Sequence, residues 1–285
     1  MTRPRVVVVG DVAVDVLVEP CSPAVAGADV PARIRMRAGG AGANTAAWLA
    51  HLGADVTLVA RVGDDPAGRG AVDDLRAAGV RVAAAVDPDL PTCTVVVLLV
   101  DGDRTMLSDR GAAGRLSPAD LPAVDAADHL HLSGYVLLDP ATRAAGRAAL
   151  DRARAAGLTT SVDPQAAPAL GPGFLDDVRG VDLLLPNAAE LAALGGLDGV
   201  RAATGAVAAT DGPGPARWTD RNGTWTAEPP PADVVDPTGA GDAFDAGVLV
   251  AWLGGADPAA ALAAGCAAGA AAVGRLGPGS AAVVR

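Results

Sequence analysis

VVDPTGAGDAFDAG, residues 234–247, is a glycine-rich loop followed by the start of a helix. We predict that Val234 and Val235 end a strand and that the helix runs from residue 243 to residue 253. Backbone N–H groups at the start of a helix have no partner within it and carry the positive end of its dipole. The glycines allow an anion to approach these N–H groups. The stretch therefore predicts an anion-binding site, although it contains no basic residue.

Asp242 comes directly after these glycines, next to the predicted anion. A carboxylate at this position disfavours a site that only binds phosphate, because the two negative charges repel each other. It suits a site where Asp242 accepts the proton of a hydroxyl group that attacks phosphorus, and a positioned general base contributes roughly 10²–10⁴-fold in rate. The N–H groups would then stabilise charge on the transferring phosphoryl group. The alternative is an aspartate that only caps a helix.

A second glycine-rich segment, AGGAGANTAAWLAHLG, covers residues 38–53. Gly39 and Gly40 allow a ligand to come close to the backbone, and Asn44 offers a donor and an acceptor near the start of a helix. The alternative is a glycine loop with Asn44 as the helix N-cap. A dinucleotide-binding loop is not favoured, because the third glycine of that fingerprint is missing and the segment does not directly follow the first strand.

The composition limits the classes of function. The 285 residues can bury a large core; 51% of them are apolar and the mean hydropathy is +0.32. A net charge of −11 disfavours nucleic acid and anionic membranes as partners. All 22 basic residues are arginine. The absence of lysine excludes a P-loop, a Schiff-base lysine and the lysine of protein kinases, so arginine and backbone N–H groups must bind any phosphate.

The cysteines and the chain ends predict a soluble protein of the cytoplasm. The three cysteines, Cys21, Cys93 and Cys266, are scattered, which argues against disulfides and zinc sites. Asp11 and Asp15 interrupt the apolar N-terminal run too early for a signal peptide, so we predict a buried first strand there. The apolar stretch near the C-terminus is too short and too rich in alanine and glycine to span a bilayer.

Short β-branched runs alternate along the chain with segments rich in alanine and leucine. This alternation predicts an α/β protein with a mostly parallel sheet covered by helices. The predicted strands cover residues 6–9, 56–62, 129–133, 159–163, 181–185 and 206–210. The predicted helices cover residues 44–52, 66–78, 243–253 and 258–273.

Two segments, residues 12–37 and 92–109, do not follow the alternation. The first is far longer than an ordinary loop between a strand and a helix, and its residues 33–37 alternate arginine with apolar side chains. The second turns at Asp101-Gly102 and returns as a hairpin. We predict that both form a small accessory sheet, a candidate lid, inserted into a single domain of residues 1–285.

The two glycine-rich segments resemble the signatures of the PfkB or ribokinase-like family of carbohydrate and nucleoside kinases. The N-terminal signature, GG-x-x-x-N, matches Gly39 to Asn44, and the C-terminal signature, D-x-x-GAGD-x-F, matches Asp236 to Phe244. The second signature is highly specific, and the resemblance covers essentially the whole chain. It implies a three-layer α/β/α fold with a Rossmann-like, mostly parallel central sheet and a small β-sheet lid.

The resemblance also implies roles for individual residues. Asp242 would be the general base, with an anion hole formed by Gly239, Ala240 and Gly241. The substrate-binding residues would be Asp11, Asp15, Gly39, Gly40 and Asn44. The nucleotide-binding residues would be Asn187, Thr210, Gly212 and Gly214. Glu190 would act at Mg²⁺, mainly through water, and a monovalent-cation site, for example for K⁺, would involve Asp236 and Thr238.

Some of these positions have a second interpretation. Asn187 and Glu190 also have the spacing of a capping box at the start of a helix. Residues 213–215, Pro-Gly-Pro, replace the basic residue and glycine that the family often has near the nucleotide. Asp11 could instead cap a turn at the end of the first strand.

We therefore expect an ATP-dependent kinase that uses Mg²⁺ and phosphorylates a hydroxyl group of a sugar or sugar-like small molecule. The alternatives are a nucleoside kinase of the same fold and a non-catalytic sugar-binding regulator. The few aromatic residues favour a sugar over a nucleoside, and Ala13 and Ala41 replace residues that are common in ribokinases. One interpretation of the arginines of residues 33–37 is that they are solvent-facing side chains of the lid. Alternatively, one of these arginines, or Arg104, or Arg110, reaches an anionic group of the substrate. Relatives often dimerise through the lid, which makes a homodimer an option here.

Overall fold

The computed structural model describes residues 3–23, 25, 27–100, 103–124, 126–171 and 173–274. In chain order its strands are β1 (Arg5–Val9), β2 (Ala13–Pro20), β3 (Ala32–Gly39), β4 (Asp55–Gly63), β5 (Arg81–Asp87), β6 (Cys93–Val100), β7 (Asp103–Asp109), β8 (His129–Ser133), β9 (Thr159–Asp163), β10 (Leu183–Leu184), β11 (Ala206–Asp211), β12 (Gly214–Asp220) and β13 (Gly223–Ala227). Its α-helices are α1 (Ala41–His51), α2 (Pro66–Ala77), α3 (Tyr135–Leu138), α4 (Arg143–Ala155), α5 (Phe174–Asp177), α6 (Ala188–Ala193), α7 (Gly196–Arg201), α8 (Ala240–Leu253) and α9 (Pro258–Val273).

The central sheet has the strand order β13-β12-β11-β10-β9-β8-β1-β4-β5. The strands from β11 to β5 run parallel, and β12 and β13 extend the β11 edge as antiparallel strands. The predicted mostly parallel sheet is confirmed. Strand β10 is shorter than predicted: it covers residues 183–184, whereas the sequence predicts a strand over residues 181–185.

Strand β1, RVVVV, shows why this sheet lies in the middle of the fold. Val6 and Val8 belong to an apolar core shared with α1, α8 and α9, whereas Val7 and Val9 belong to a core shared with α4. Successive side chains of a strand point to opposite faces of the sheet, so both faces carry helices. The three-layer α/β/α arrangement is therefore confirmed.

The residues before α8 differ from the prediction. Residues 234–235 do not form a strand, because their exposed side chains have no sheet to pack on and the N–H of Val235 donates to the Val273 carbonyl at 2.8 Å. The helix begins at Ala240, three residues earlier than predicted. Gly239, with a φ of 79°, adopts the left-handed conformation that turns the chain directly into the helix.

The accessory sheet has the strand order β3-β2-β6-β7, with β2 and β6 parallel and the other pairs antiparallel. The cross-strand neighbours Asp15, Val95 and Ser108 share one face. Met36 and Leu107 lie on the opposite face and are 68% and 59% exposed. The sheet therefore has an inner face with polar groups and an outer face that is apolar and uncovered within the described chain.

The small sheet predicted from residues 12–37 and 92–109 is confirmed, and its predicted turn at Asp101-Gly102 lies outside the described residues. Within the described ranges, every helix is too short or too polar to cross a membrane. The cytoplasmic location stays a prediction.

The contact between α8 and α9 depends on glycine. A Cβ added at Gly247 would lie 2.6 Å from the carbonyl oxygen of Ala264, so the close approach of the two helices requires that Gly247 has no side chain. This contact fixes the position of α8, which carries the GAGD signature at its start.

We expect Gly247→Ala to lower the free energy of unfolding by about 1–3 kcal/mol, because overpacking pushes the two helices apart. Gly70→Ala is the matched control, since Gly70 is exposed on α2 and an added Cβ would have no atom within 4 Å other than those of its chain neighbours and the adjacent backbone of its own helix. There the helix preference of alanine should raise the free energy of unfolding by up to about 1 kcal/mol. Urea denaturation followed by circular dichroism measures both. A Gly247→Ala protein as stable as the wild type would contradict the packing.

Candidate active site

A cavity of about 340 Å³ opens between the carboxyl ends of the parallel strands and the inner face of the accessory sheet. Asp11, Asp163 and Thr210 come from the ends of β1, β9 and β11, and Asp15 and Ser108 come from the accessory sheet. Ligands of open α/β sheets bind outside the carboxyl ends of the strands. The cavity is therefore where this fold favours a binding site.

The N-terminus of α8 faces this cavity. Gly239, Gly241 and Asp242 border it. Ala240 does not border it, and its N–H donates to the Pro237 carbonyl at 3.3 Å. Of the predicted anion hole, Gly239 and Gly241 thus lie at the cavity, whereas the Ala240 amide is already engaged in the turn.

Asn44 does not cap its helix. α1 begins at Ala41 with Gly40 as N-cap, and the Asn44 side chain instead donates from Nδ2 to Oδ2 of Asp242 at 2.9 Å. The N-cap interpretation of Asn44 is therefore wrong. The bond joins the two glycine-rich segments at one point of the cavity.

Burial raises the pKa of Asp242 well above the usual range of a carboxyl group, and the charge of Asp163 raises it further. The hydrogen bond from Asn44 acts in the opposite direction. The half-buried Asp242 carboxyl group is therefore a stronger base than an ordinary aspartate, and it is reachable from the cavity.

Asp11 and Asp15 lie together on the accessory-sheet side of the cavity, and both are buried. Asp11 accepts a hydrogen bond from the Gly42 N–H at 3.3 Å, so it also ties the glycine loop to the end of β1. Burial raises the pKa of Asp15 to about 6, and the charges of Asp11 and Asp236 contribute. Asp236 itself does not border the cavity but lies close enough to act on Asp15.

The two predicted glycines of the first signature have different roles. Gly40 borders the cavity with a φ of 96°, a conformation that glycine adopts readily. Gly39 does not border the cavity, but a Cβ there would lie 2.4 Å from the Asp15 carboxyl group. Gly39 therefore leaves the room in which the Asp15 carboxyl group sits.

Two acidic residues in the cavity, Asp163 and Asp245, are absent from the sequence-based site. They hydrogen-bond to each other through their side chains, and burial raises the pKa of Asp163 to about 8 and that of Asp245 well above its usual range. Oδ2 of Asp245 has no hydrogen-bond partner among the described residues. The pair can form only when one carboxyl group holds a proton.

Gln165 also borders the cavity and holds Asp163. Its backbone N–H and its Nε2 both donate to the Asp163 carboxyl group. Gln165 has a positive φ of 67°. Among the described residues, every other residue with a positive φ is a glycine. Such strain persists where the surroundings fix a residue in place.

Asn187 and Glu190 form the capping box at the start of α6. Oδ1 of Asn187 accepts from the Glu190 N–H at 2.9 Å, and the Glu190 carboxylate accepts from the N–H and Nδ2 of Asn187 at 2.9 and 2.7 Å. The capping interpretation is confirmed as geometry. Both residues also border the cavity, and burial raises the pKa of Glu190 to about 7.

The other predicted nucleotide and cation residues separate into two groups. Thr210 and Thr238 border the cavity, and the Thr238 N–H donates to Oδ1 of Asp236 at 2.9 Å. Gly212 and Gly214 do not border it. They belong to the tight turn between β11 and β12, where Gly212 has a φ of 55°, as short hairpin turns require.

Comparisons with known proteins identify the family. A family model described as pfkB family carbohydrate kinase matches residues 3–284. The chain is 34% identical over 259 residues to the ATP-dependent ribose-1-phosphate kinase of Halopiger xanaduensis, covering 87% of this chain and 84% of the relative. It is 33% identical over 265 residues to the fructokinase of Klebsiella pneumoniae, covering 86% and 83%. A crystal structure of fructokinase with bound ATP from Xylella fastidiosa has a TM-score of 0.86 at 23% identity, covering 97% of this chain and 94% of that one.

The chain therefore belongs to the pfkB family of carbohydrate kinases. It is an enzyme, a kinase of a sugar or nucleoside, that transfers a phosphoryl group to an alcohol group. The non-catalytic alternative has no support.

The Asp163–Asp245 pair predicts a pH dependence of stability. A carboxyl group whose pKa is raised by folding holds its proton longer in the folded chain than in the unfolded chain. Stability therefore falls as pH rises from the ordinary carboxyl range to the raised pKa of the pair. Asp245→Asn keeps a donor for Asp163 and removes one ionisable group.

We expect the free energy of unfolding of Asp245→Asn, relative to the wild type, to rise between pH 5 and pH 8, by at most about 1.4 kcal/mol per pH unit for one proton. Urea denaturation without Mg²⁺ at both pH values measures this difference. Asp73→Asn, on the exposed face of α2, is the control and should show no such trend. A difference between Asp245→Asn and the wild type that stays constant with pH would exclude the proton-sharing pair.

Proposed function

We propose that this enzyme transfers the γ-phosphoryl group of ATP to a hydroxyl group of a sugar or sugar-like small molecule, with Asp242 as general base. The observation that carries the proposal is the position of the Asp242 carboxyl group. It lies at the N-terminus of α8 and in the same cavity as Asp11 and Asp15. A proton acceptor, an anion-binding helix start and acceptors for hydroxyl groups thus share one space.

The acceptor sugar binds at Asp11, Asp15 and Gly40. An ionised carboxylate accepts hydrogen bonds from two neighbouring hydroxyl groups, which suits a sugar. Gly40 borders the cavity and lets the sugar approach the backbone, and Gly39 leaves the space that the Asp15 carboxyl group occupies. Asn44 directs Asp242 toward the hydroxyl group that reacts, because it holds Oδ2 and leaves the other oxygen of the carboxyl group available.

In the reaction, Asp242 takes the proton of the attacking hydroxyl group as its oxygen bonds to the γ-phosphorus of ATP, and the bond from that phosphorus to the oxygen of the departing ADP breaks. General-base catalysis is most effective when the pKa of the base lies near the working pH, and burial moves Asp242 in that direction. The N–H groups of the first turn of α8 stabilise the charge that develops on the phosphoryl group. Gly239 and Gly241 let that group come close to them.

ATP lies on the side of the cavity formed by the ends of β10 and β11. Asn187 and Thr210 border the cavity there, and an isolated bridge pairs their backbones. Gly212 and Gly214 act through the shape of the turn that follows Thr210. Closure of the accessory sheet over the cavity would exclude water and suppress hydrolysis of ATP.

Mg²⁺ fits the acidic end of the cavity. Glu190 and Oδ2 of Asp245, which has no partner among the described residues, are hard oxygen donors of the kind that Mg²⁺ prefers. The described chain holds no group of three or more acidic, histidine or cysteine ligands placed for a metal ion. This agrees with Mg²⁺ held mainly by water and ATP phosphates. When bound, Mg²⁺ neutralises charge on the phosphates.

A monovalent cation such as K⁺ remains a proposal for Asp236 and Thr238. The Thr238 N–H already donates to one oxygen of Asp236, which fixes the carboxylate next to the cavity. The resemblance also implies carbonyl ligands from the C-terminal loop, and residues 275–285 lie outside the described chain.

A sugar is favoured over a nucleoside as the acceptor. Among the described residues that border the cavity, Tyr135 is the one aromatic side chain, and its ring lies under the guanidinium group of Arg110. A nucleoside base needs an apolar or aromatic surface to pack on. The cavity offers carboxylates in its place.

A second copy of this chain fits the outer face of the accessory sheet. Ile34, Met36 and Leu107 expose 62%, 68% and 59% of their surface there, on strands β3 and β7 at the two sheet edges. An exposed apolar face with open edges is a surface for pairing with another chain. We expect light scattering after gel filtration to give the mass of a dimer for the wild type and of a monomer for Met36→Glu. A monomeric wild type would rule this contact out.

The role of Asp242 is tested by Asp242→Asn, which keeps the size and the acceptor oxygen for Asn44 but is not a base. We expect kcat for the phosphorylation of the best acceptor to fall roughly 10²–10⁴-fold, with an unchanged melting temperature or an increase. ADP release, followed in a coupled assay over a panel of sugars, sugar phosphates, sugar acids and nucleosides, measures it. Asp73→Asn is the control on the surface. Near-normal turnover by Asp242→Asn would refute the assignment.

A further inference from the structure

Arg110 is the basic residue of the cavity. It follows β7 and precedes the short 3₁₀ helix of residues 111–115. Among the described residues that border the cavity, no other is basic. Its guanidinium group lies 5.5 Å from the centre of the Tyr135 ring, which supports it from one side.

Among the described residues, the guanidinium group is held by charge and by no hydrogen bond. Its Nη1 lies 4.0 Å from Oδ2 of Asp11, and its Nε lies 3.8 Å from Oδ2 of Asp139. Both distances exceed the range of an N–H···O hydrogen bond. Nε is buried and has no hydrogen-bond partner within the described part of the chain. Burying a charged donor that has no acceptor costs free energy, and a ligand that accepts its hydrogen bond removes this cost.

The missing partner is expected to be an oxyanion. Arginine presents its donors as a planar fork that matches a carboxylate or phosphate, which can accept two bonds at once. Sugar hydroxyl groups already have the acceptors Asp11 and Asp15 in the cavity. A neutral sugar offers only hydroxyl groups to the planar fork of Arg110, whereas an anionic sugar offers an oxyanion that matches it and needs a cation to enter an acidic cavity.

Arg110 belongs to the acceptor end of the cavity and not to the ATP end. It contacts Asp11 after β1, whereas Thr210 lies at the end of β11. β8, β9 and β10 separate β1 from β11 in the sheet. At about 4.8 Å per strand this is roughly 19 Å. An anion bound to Arg110 is therefore a group of the acceptor.

Given the proposed kinase function, on which this inference rests, we infer that the acceptor is an anionic sugar. Arg110 binds the phosphate or carboxylate group of that sugar and sets the specificity of the enzyme for it. Asp11 and Asp139 hold the guanidinium group in position without occupying its donors.

The test compares each neutral sugar with its charged counterparts: ribose with ribose 1-phosphate and ribose 5-phosphate, fructose with fructose 6-phosphate, and glucose with gluconate. The variants are Arg110→Met, Arg110→Lys and the control Arg115→Met. Arg115 is exposed, lies outside the cavity lining and ends the 3₁₀ helix that follows Arg110. The control therefore removes the same charge from the same part of the chain. ADP release gives kcat and KM for each pair.

We expect the wild type to prefer a charged sugar over its neutral counterpart by roughly 10- to 100-fold in kcat/KM, the value of a hydrogen bond to a charged group. Arg110→Met should lose this preference, mainly through a higher KM for the charged sugar, with a much smaller change for the neutral sugar. Arg110→Lys should recover part of it, because lysine supplies the charge without the fork. Arg115→Met should behave as the wild type. The ratio of kcat/KM between charged and neutral sugar is then compared among the pairs. A larger ratio for the ribose and fructose pairs indicates a phosphate, and a larger ratio for glucose and gluconate indicates a carboxylate.

Other outcomes separate this inference from the proposed function. A wild type that turns over neutral sugars equally well, and loses that activity in Asp242→Asn, keeps the proposed function and overturns the role of Arg110. An equal loss on neutral and charged sugars in Arg110→Met also overturns it, because that is a structural effect. If no compound releases ADP, the proposed function fails. Calorimetric binding of the same sugar phosphates and of gluconate then decides: binding of any of them to the wild type and not to Arg110→Met supports the anion site, and binding of none of them overturns it.

Discussion

The hydrogen bond from Nδ2 of Asn44 to Oδ2 of Asp242, 2.9 Å long, is the interaction on which the site depends. It joins the first turns of α1 and α8, two helices that are 198 positions apart in sequence at this point and pack on each other in one apolar core. Because it links both glycine-rich segments, residues 38–53 and residues 234–247 meet at the same cavity. The bond also fixes the direction of the carboxyl group that we propose as the base.

The surroundings of this bond are unusually acidic for a buried region. Asp163 and Asp245 lie near Asp242, and burial raises the pKa of all three. A fold that optimised stability alone would replace such groups with apolar ones. The same burial that lowers the stability of the fold makes Asp242 a stronger base. The positive end of the α8 dipole partly offsets the negative charge of Asp242 in the first turn of the helix. Stability and the proposed chemistry are therefore set by the same desolvation.

The sequence predicts the fold and the position of the site, because both follow from local patterns. The strand and helix alternation gives the parallel sheet, and GAGD places Asp242 at a helix start. Contacts between distant elements are different: the Asp163–Asp245 pair forms only when the end of β9 meets α8. One signal was available, since Asp245 follows Asp242 by three residues and so shares its helix face. The engagement of the Ala240 amide by the turn had no such signal.

The most direct test of the central claim is a crystal structure with Mg²⁺, ADP, aluminium fluoride and the acceptor that gives the highest kcat/KM. We expect the reacting hydroxyl oxygen to lie about 2.6–3.2 Å from the Asp242 carboxyl group. We expect the fluoride ligands to lie about 2.7–3.1 Å from N–H groups of the first turn of α8. An aluminium fluoride group bound away from α8, or a hydroxyl group held by another base, would contradict the central claim.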